Sequence, residues 1–340
     1  MPDGVSIVVP TVGRPSLEKL LERLRPQVAG APVPVELLVV PDTGRRGPAA
    51  TRNVGWRGAR YPWVAFLDDD VLPPADWLDR LLADLDQPAD VGGVQGRLHV
   101  PVPGRCGDWA ATTAALERAS WATADMAYRR AALEGVGGFD ERFPRAYRED
   151  ADLAYRVRRA GWRLVVGTRR TTHPVRPESP WISLRTQRGN ADDALLRRLH
   201  GPAWHRLLDA PAGRRHRHAL VVATGAAALA GRALTWGRSD KLRGCRALIS
   251  CRQAARVAGA AWLAGTVEFA VARLRAAPGA RDQVVPLLLT SVLIPPLAIG
   301  HWLTGWIRHR HAEPWFATPA GRVVPAGTKE EEWTASGPPR

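Results

Sequence analysis

The sequence predicts an α/β domain on a mostly parallel sheet, followed by an α-helical region, and three observations carry that prediction. From residue 5 to about 170, short apolar runs bounded by turn residues alternate with amphipathic stretches, the pattern of successive βα units. One of the runs, over 63–67, leads directly into three consecutive carboxylates. Beyond about residue 180 the composition shifts towards Ala, Leu, Val, Trp and Arg.

The elements follow in order. Val5-Ser6-Ile7-Val8-Val9 reads as a buried strand, with no cationic and apolar leader ahead of it, so no secretory signal is expected and the first domain is expected to face the cytoplasm. Strands are predicted over 35–40, 63–67, 91–100 and 163–167, and helices over 15–27, 48–59, 75–86 and 150–160. The last of these helices sets Leu153 and Val157 on one side and Arg156, Arg158 and Arg159 mostly on the other. It carries acids at its start and stops at Gly161, where a C-cap glycine is expected. Residues 179–200 read as one Arg- and Leu-rich helix. The chain then divides into a first domain over 1–210, a basic helical region over 211–312, and a proline-rich tail over 313–340 expected to be disordered.

Charge separates these parts. The 340 residues carry 48 Lys and Arg against 33 Asp and Glu, a net +15, with only three lysines. Residues 197–312 hold 18 basic and 4 acidic side chains, so nearly all of the excess lies there. Such a balance calls for a polyanionic partner. Residues 284–307 contain no Asp, Glu, Lys or Arg and are followed by Arg308-His309-Arg310-His311, long enough to span a bilayer and suited to anionic headgroups. Pro286, Pro295, Pro296 and His301 count against a straight span. The uncharged stretches 218–231 and 257–267 are too short to cross alone, which favours a re-entrant or interfacial arrangement at a membrane surface. A soluble helical subdomain or a dimer interface is the alternative. Specific nucleic-acid binding is not expected, since the patch lacks both aromatic and basic alternation and a major-groove helix motif. Cys106, Cys245 and Cys251 show no metal or disulfide spacing and fit a reducing compartment.

The acidic triplet Asp68-Asp69-Asp70 follows an apolar strand, which places it at the carboxyl end of the sheet, where open α/β sheets bind ligands. In an extended chain Asp68 and Asp70 point to the same side and can share one hard cation while Asp69 turns away. The triplet does not stand alone. Asp42 ends the second strand, Arg52 and Asn53 sit in the helix begun by Gly47, and Gly137-Gly138-Phe139-Asp140-Glu141 and Glu149-Asp150 follow.

Taken with Val5-Ser6-Ile7-Val8-Val9-Pro10-Thr11, this ordered set resembles the family 2 glycosyltransferases, inverting nucleotide-sugar transferases of the GT-A fold, over about residues 3–210. The resemblance implies a Rossmann-like, mostly parallel sheet and a metal-dependent transfer of a sugar from a nucleotide-diphosphate donor. It makes Asp42 a contact to nucleobase or ribose and Asp68-Asp69-Asp70 the D-x-D element holding Mn²⁺ or Mg²⁺. Asp150 of the Glu149-Asp150 pair becomes the catalytic base. Pro10, Arg52, Asn53, Asp68, Asp69 and Asp125 fall on the donor side, and His173 joins Asp68 and Asp70 as a metal ligand. One departure is clear: the family usually has Asp-Asp after the second strand, and here Pro41 replaces the first. Physically, a leaving diphosphate gains charge that a divalent ion stabilises, and a carboxylate opposite it can take the acceptor proton. The expected acceptor is a glycan, lipid-linked or cell-envelope hydroxyl. A competing reading is a basic membrane- or nucleic-acid-binding scaffold on a non-catalytic domain of this fold.

Overall fold

The computed structural model describes all residues except 103, 105, 106, 237–245, 277–282, 314, 318–322 and 326–340. Strands β1 (Val5–Thr11), β2 (Val35–Pro41), β3 (Trp63–Leu67), β4 (Val91–His99), β5 (Asp125–Arg129) and β6 (Arg163–Thr172) form one sheet in the order β2-β1-β3-β5-β4-β6. β1 pairs parallel with β2 and β3, β4 pairs parallel with β6, and β5 runs antiparallel to both β3 and β4. Five strands therefore point one way and β5 the other, so the sheet is mixed. β5 was not expected from sequence. Asp-Met-Ala-Tyr-Arg has no β-branched residue, and its strand state comes from ladder bonds on both sides.

Helices α1 (Ser16–Ala29) and α3 (Trp77–Asp84) cover one face, and α2 (Pro48–Gly58), α5 (Arg130–Val136) and α6 (Glu149–Arg159) cover the other. The period-2 alternation of β1 and β3 decides which residue goes where. Val5, Ile7, Val9, Trp63, Ala65 and Leu67 pack with Leu20, Leu24, Trp77 and Leu81, whereas Val8, Val64 and Phe66 pack with Trp56, Leu133, Phe139, Leu153 and Val157. Each large apolar side chain so buried is worth about 1.5–3 kcal/mol.

α2 lies unusually close to β1. A Cβ on Gly55 would sit 2.3 Å from Val8 Cγ1 in the centre of the sheet. Gly55→Ala is expected to destabilise the domain by about 1–3 kcal/mol through overpacking, despite the better helix propensity of alanine. A shifted urea midpoint at unchanged m-value would show it.

The predicted 179–200 helix is broken into α7 (Ile182–Arg185), a 3₁₀ turn (Thr186–Gly189) and α8 (Asn190–His200). Helix α4 (Asp108–Ala114) precedes β5, and α9 (Trp204–Leu207) closes a third cluster of Phe143, Leu195, Leu196, Leu199 and Trp204. Three long helices follow: α10 (Arg215–Thr235), α11 (Arg246–Ala276) and α12 (Val284–Arg308). All three contain stretches long and apolar enough to cross a membrane, including the two judged too short from their uncharged cores alone. The helices run past the terminal arginines, whose long stems can carry the charge back to an interface. Of the tail, Trp315–Ala317 and Val323–Pro325 form an antiparallel pair, β7 and β8; the rest of the expected disordered segment lies outside the described residues, as do Cys106 and Cys245. Cys251 is free and exposed.

Candidate active site

Because β5 is reversed, its first residue lies beside the last residue of β3, in the register Leu67 to Asp125. One sheet edge thus collects the ends of β1, β3, β4 and β6 and the start of β5. All the acidic motifs converge there.

The triplet leaves β3 in a turn rather than an extended chain, with the Val71 N–H donating to Asp68 O at 3.4 Å. A turn sends its three carboxylates to three neighbours. Asp68 accepts from Arg52 Nη2 at 2.7 Å. Asp69 is buried, accepting from Thr11 Oγ1 at 2.6 Å and Arg14 Nη1 at 2.8 Å. Asp70 faces His173 Nε2 at 3.6 Å and Arg176 Nε at 3.3 Å. His173 reaches this point because Leu72 and Thr172 form an antiparallel bridge and His173 N–H donates to His99 O at 2.8 Å.

Arg52 is the keystone of the edge. It is 2% exposed, and its second nitrogen donates to Glu149 Oε1 at 2.7 Å. One guanidinium therefore links the end of β3 to the start of α6. The neighbouring Asn53 is fully buried and has a different use. Its amide donates to Phe139 O and Glu141 Oε1 at 2.8 and 2.9 Å, and its Oδ1 accepts from the Phe139 N–H and Trp56 Nε1. This clamp explains Gly138, which has φ +77° and no room for a Cβ beside Asn53 Oδ1 and Trp56. Asn53 thus positions the loop that leads to α6 and offers no free group to a donor.

Asp125 differs most from the role the sequence suggested. It is fully buried, and its oxygens accept from Arg169 Nε at 2.7 Å, Trp77 Nε1 at 2.9 Å and the Thr171 hydroxyl. Arg169 also reaches Asp84, making a closed polar network beneath the edge rather than a surface facing a sugar. Asp42 accepts from the Arg46 and Gly47 N–H groups at 2.8 and 2.9 Å, shaping the loop into α2, and Pro10 is a buried β1 residue opposite Val40. Arg145 and Arg148, just before the acidic pair, turn to α8: Arg145 grips Asp192 with two bonds of 2.9 and 2.8 Å, and Arg148 lies 3.5 Å from Asp193.

Sequence reasoning missed Arg14 and Arg176, which flank Asp69 and Asp70 with side chains 40% and 36% exposed. Neither stands in a motif, so no local signal marks them. Arg156, expected on the outer side of α6 with Arg158 and Arg159, is instead buried because it pairs with Asp152: Arg156 Nε lies 2.8 Å and His200 Nε2 2.7 Å from the fully buried Asp152.

The electrostatics at α6 are those of a strained carboxylate pair. Burial and the charge of Asp150 push Glu149 up to about 7, with Arg52 opposing, and its Oε2 is buried without a hydrogen-bond partner among the described residues. Burial, aided by the Asp68 charge, also raises Asp150, against the Ala151 N–H, Arg52 and Arg148. Asp70 is raised by burial and by Asp68, opposed by His173, Arg176 and Arg14. Since the fold binds the Glu149 proton more tightly than the unfolded chain does, this group's contribution to stability is full at low pH and is lost as pH rises through about 7. Glu149→Gln is expected to flatten the fall in stability between pH 5 and pH 8, measured by denaturant unfolding across that range.

Among the described residues, no three His, Cys, Asp or Glu side chains are grouped to hold a metal by themselves. The donor chemistry nevertheless fits a hard divalent cation. Asp70 and His173 converge, and Asp68 raises Asp70 through a repulsion that a cation would relieve.

A six-stranded mixed sheet with this turn of carboxylates at one edge, joined to an acidic pair by a buried arginine, is the layout of a GT-A glycosyltransferase domain. The chain belongs to the glycosyltransferase like family 2, whose profile matches residues 2–190. Over 150 residues it is 34% identical to a pre-mycofactocin glycosyltransferase of Mycobacterium tuberculosis, a match covering 40% of this chain and 31% of that protein. The chain therefore matches about a third of that relative's length. Among solved structures it is similar to the mannosyltransferase PcManGT from Pyrobaculum calidifontis in complex with GDP-Man and Mn²⁺ (18% identity, TM-score 0.47, covering 89% of this chain and 87% of that one). It is also similar to residues 1–349 of S. aureus TarS in complex with UDP-GlcNAc (15% identity, TM-score 0.37, covering 96% and 97%).

Proposed function

We propose that this protein is a metal-dependent inverting glycosyltransferase that moves a sugar from a nucleotide-diphosphate donor to a hydroxyl of a glycan, lipid-linked or cell-envelope acceptor at the cytoplasmic face of a membrane. The observation that carries this reading is the Arg52 bridge, which holds the triplet and the Glu149-Asp150 pair at one edge with 2.7 Å contacts to each side. Family membership and the name of the mycobacterial relative support the transfer of a sugar.

In this reading Asp68, Asp70 and His173 would hold Mn²⁺ or Mg²⁺, which supplies Lewis-acid neutralisation of the charge growing on the leaving diphosphate. Arg14 and Arg176, half-exposed beside the same carboxylates, meet the phosphate oxygens. Asp69, tied to Thr11 and Arg14, keeps the turn in register with β1. The Asp42 loop is the nucleoside side. Asp150 faces the acceptor. Its carboxylate takes the hydroxyl proton as that oxygen bonds to the anomeric carbon and the carbon–oxygen bond to the diphosphate breaks, its electron pair leaving with the phosphate. A single displacement of this kind inverts the anomeric centre.

The test is nucleoside-diphosphate release by the purified protein with Mn²⁺ or Mg²⁺ across UDP-, GDP-, ADP- and dTDP-sugars, with acceptor extracts and membranes supplied. Release from one donor, stimulated by the cation, is expected. Asp70→Ala should lose the cation stimulation and weaken donor binding, with an unchanged circular dichroism spectrum. Absence of turnover and of donor binding across the panel would overturn the proposal in favour of a scaffold.

A further inference from the structure

α12 carries the highest mean hydropathy of the three long helices, 1.8, and is the one that sequence alone would send across a bilayer. Its surroundings argue otherwise. Leu287, Thr290, Ser291, Ile294, Pro295, Ala298 and Gly305 are its buried residues. At 100° per residue they fall on one stripe, and the exposed Val285, Leu289, Val292, Leu303 and Ile307 fall on the opposite one. The buried stripe packs on α8, the 3₁₀ turn before it and α7 of the first domain, and also on α10 and α11.

Contacts hold it there at both ends. Near its start the tie runs through α11: Leu287 O, Thr290 Oγ1 and Ser291 Oγ all accept from Nη1 of that helix's Arg273 at 3.1, 2.8 and 2.9 Å. The other guanidinium nitrogens of the same arginine bind Asp108 of α4 at 2.7 Å and Ser183 of α7 at 3.3 Å. Near its end, Gly305 lies against the Ala191 backbone so tightly that a Cβ would come within 2.4 Å of Ala191 O, and Arg198 stacks over Trp306 at 3.4 Å. From Leu287 to Gly305 the axis advances about 27 Å, nearly the ~30 Å thickness of a hydrocarbon core. The segment 183–198 runs beside it and carries Arg185, Arg188, Asp192, Asp193, Arg197 and Arg198. A spanning α12 would drag these charges, and the Asp192–Arg145 pair with them, into lipid, which is the costliest place for them.

We infer that α12 is an in-plane membrane-contact helix: one face is bolted to the catalytic domain and the opposite face enters the outer few ångströms of an anionic leaflet. This rests on the membrane reading above and decides how the membrane is met. The exposed stripe is apolar from end to end, with Val285 65% and Ile307 61% exposed. It is continuous with the exposed Arg308 and Arg310, and the surrounding region 197–312 is strongly basic, so charge complementarity selects an anionic lipid surface as the occupant. The consequence for the enzyme is a fixed attitude, because a domain bolted along about 27 Å of an in-plane helix cannot tumble relative to the leaflet.

The experiment uses the full-length protein with its three native cysteines replaced by serine and a nitroxide placed singly at Val285→Cys, Leu289→Cys, Val292→Cys, Leu303→Cys and Ile307→Cys. All five sites are exposed, so the fold is not at stake. Protein is bound to vesicles of phosphatidylglycerol and phosphatidylcholine, and depth is read from relaxation by oxygen against a water-soluble nickel chelate. Equal, shallow depths at all five sites are expected, with flotation lost at high salt or on pure phosphatidylcholine. A profile that deepens towards Val292 and becomes shallow at both ends would establish a span and overturn the inference while leaving membrane association intact. Failure to float on any vesicle would remove the membrane reading itself. Spin–spin broadening between copies in lipid-free protein, unchanged by vesicles, would assign the stripe to a second copy of the chain and overturn the proposal.

Discussion

Asp150→Asn is expected to lower turnover by about 10²–10⁴-fold while donor binding stays within twofold of the parent. Asparagine has nearly the shape of aspartate and its Oδ1 still accepts from the Ala151 N–H, so the helix start is preserved. What it loses, on the proposed role of Asp150, is the basicity of a carboxylate needed to take the acceptor proton. In the parent, burial and the Asp68 charge raise this carboxyl, so it is ionised only above the ordinary aspartate range, and turnover should fall as pH drops through that raised value. Kinetics in the presence of acceptor, with donor affinity measured separately, check both halves. An Asp150→Asn enzyme with parental kcat would move the proton acceptor elsewhere.

The largest loss of stability is expected from Arg52→Met. Methionine fills a similar volume but leaves Asp68 and Glu149 facing each other without the cation between them, a broken buried pair of the kind that costs about 3–5 kcal/mol. The deficit should depend on pH. Glu149 is already pushed up to about 7, and removing Arg52 takes away a cause that lowers it, so below that pH the carboxyl is protonated and the variant is partly relieved. Unfolding curves at pH 5.5 and pH 8 should therefore diverge from the parent by more at pH 8. Arg52→Lys tests geometry separately. One ammonium keeps the charge but lacks the planar fork whose two separate nitrogens each reach their own carboxylate, so intermediate stability with low activity is expected. Equal losses for lysine and methionine would show that the bridge geometry, rather than the charge, carries the stability.

Much of this was legible in the residues. The apolar runs of β1 and β3 read directly as buried strands, and the Gly161 stop and acidic start of α6 marked a helix that forms within one residue of the expected bounds. The edge position of Asp42 and Asp68 followed from strand direction alone, because a parallel strand must deliver its carboxyl end to the same side as its neighbours, whereas Asp150, at a helix start, was brought in only by the family resemblance. β5 was hidden, since nothing in Asp125–Arg129 prefers a strand until β3 and β4 flank it. Its reversal brings Asp125 to the same edge, but the fold then spends that carboxylate on Arg169, Trp77 and Thr171, partners 44, 48 and 46 residues away.

What the sequence determined by itself, then, is what depends on near neighbours: element type, face, strand direction and the order of the acidic motifs. Tertiary structure decided the partners. It gave the Arg52-Asn53 motif its partners, a bracket between Asp68 and Glu149 and a clamp on the Phe139 loop, and it brought Arg14 and Arg176 to Asp69 and Asp70. It also laid the most apolar helix along the catalytic domain. Each of these joins groups well separated in the chain and forms only once the fold has brought them together, which no local pattern of residues records.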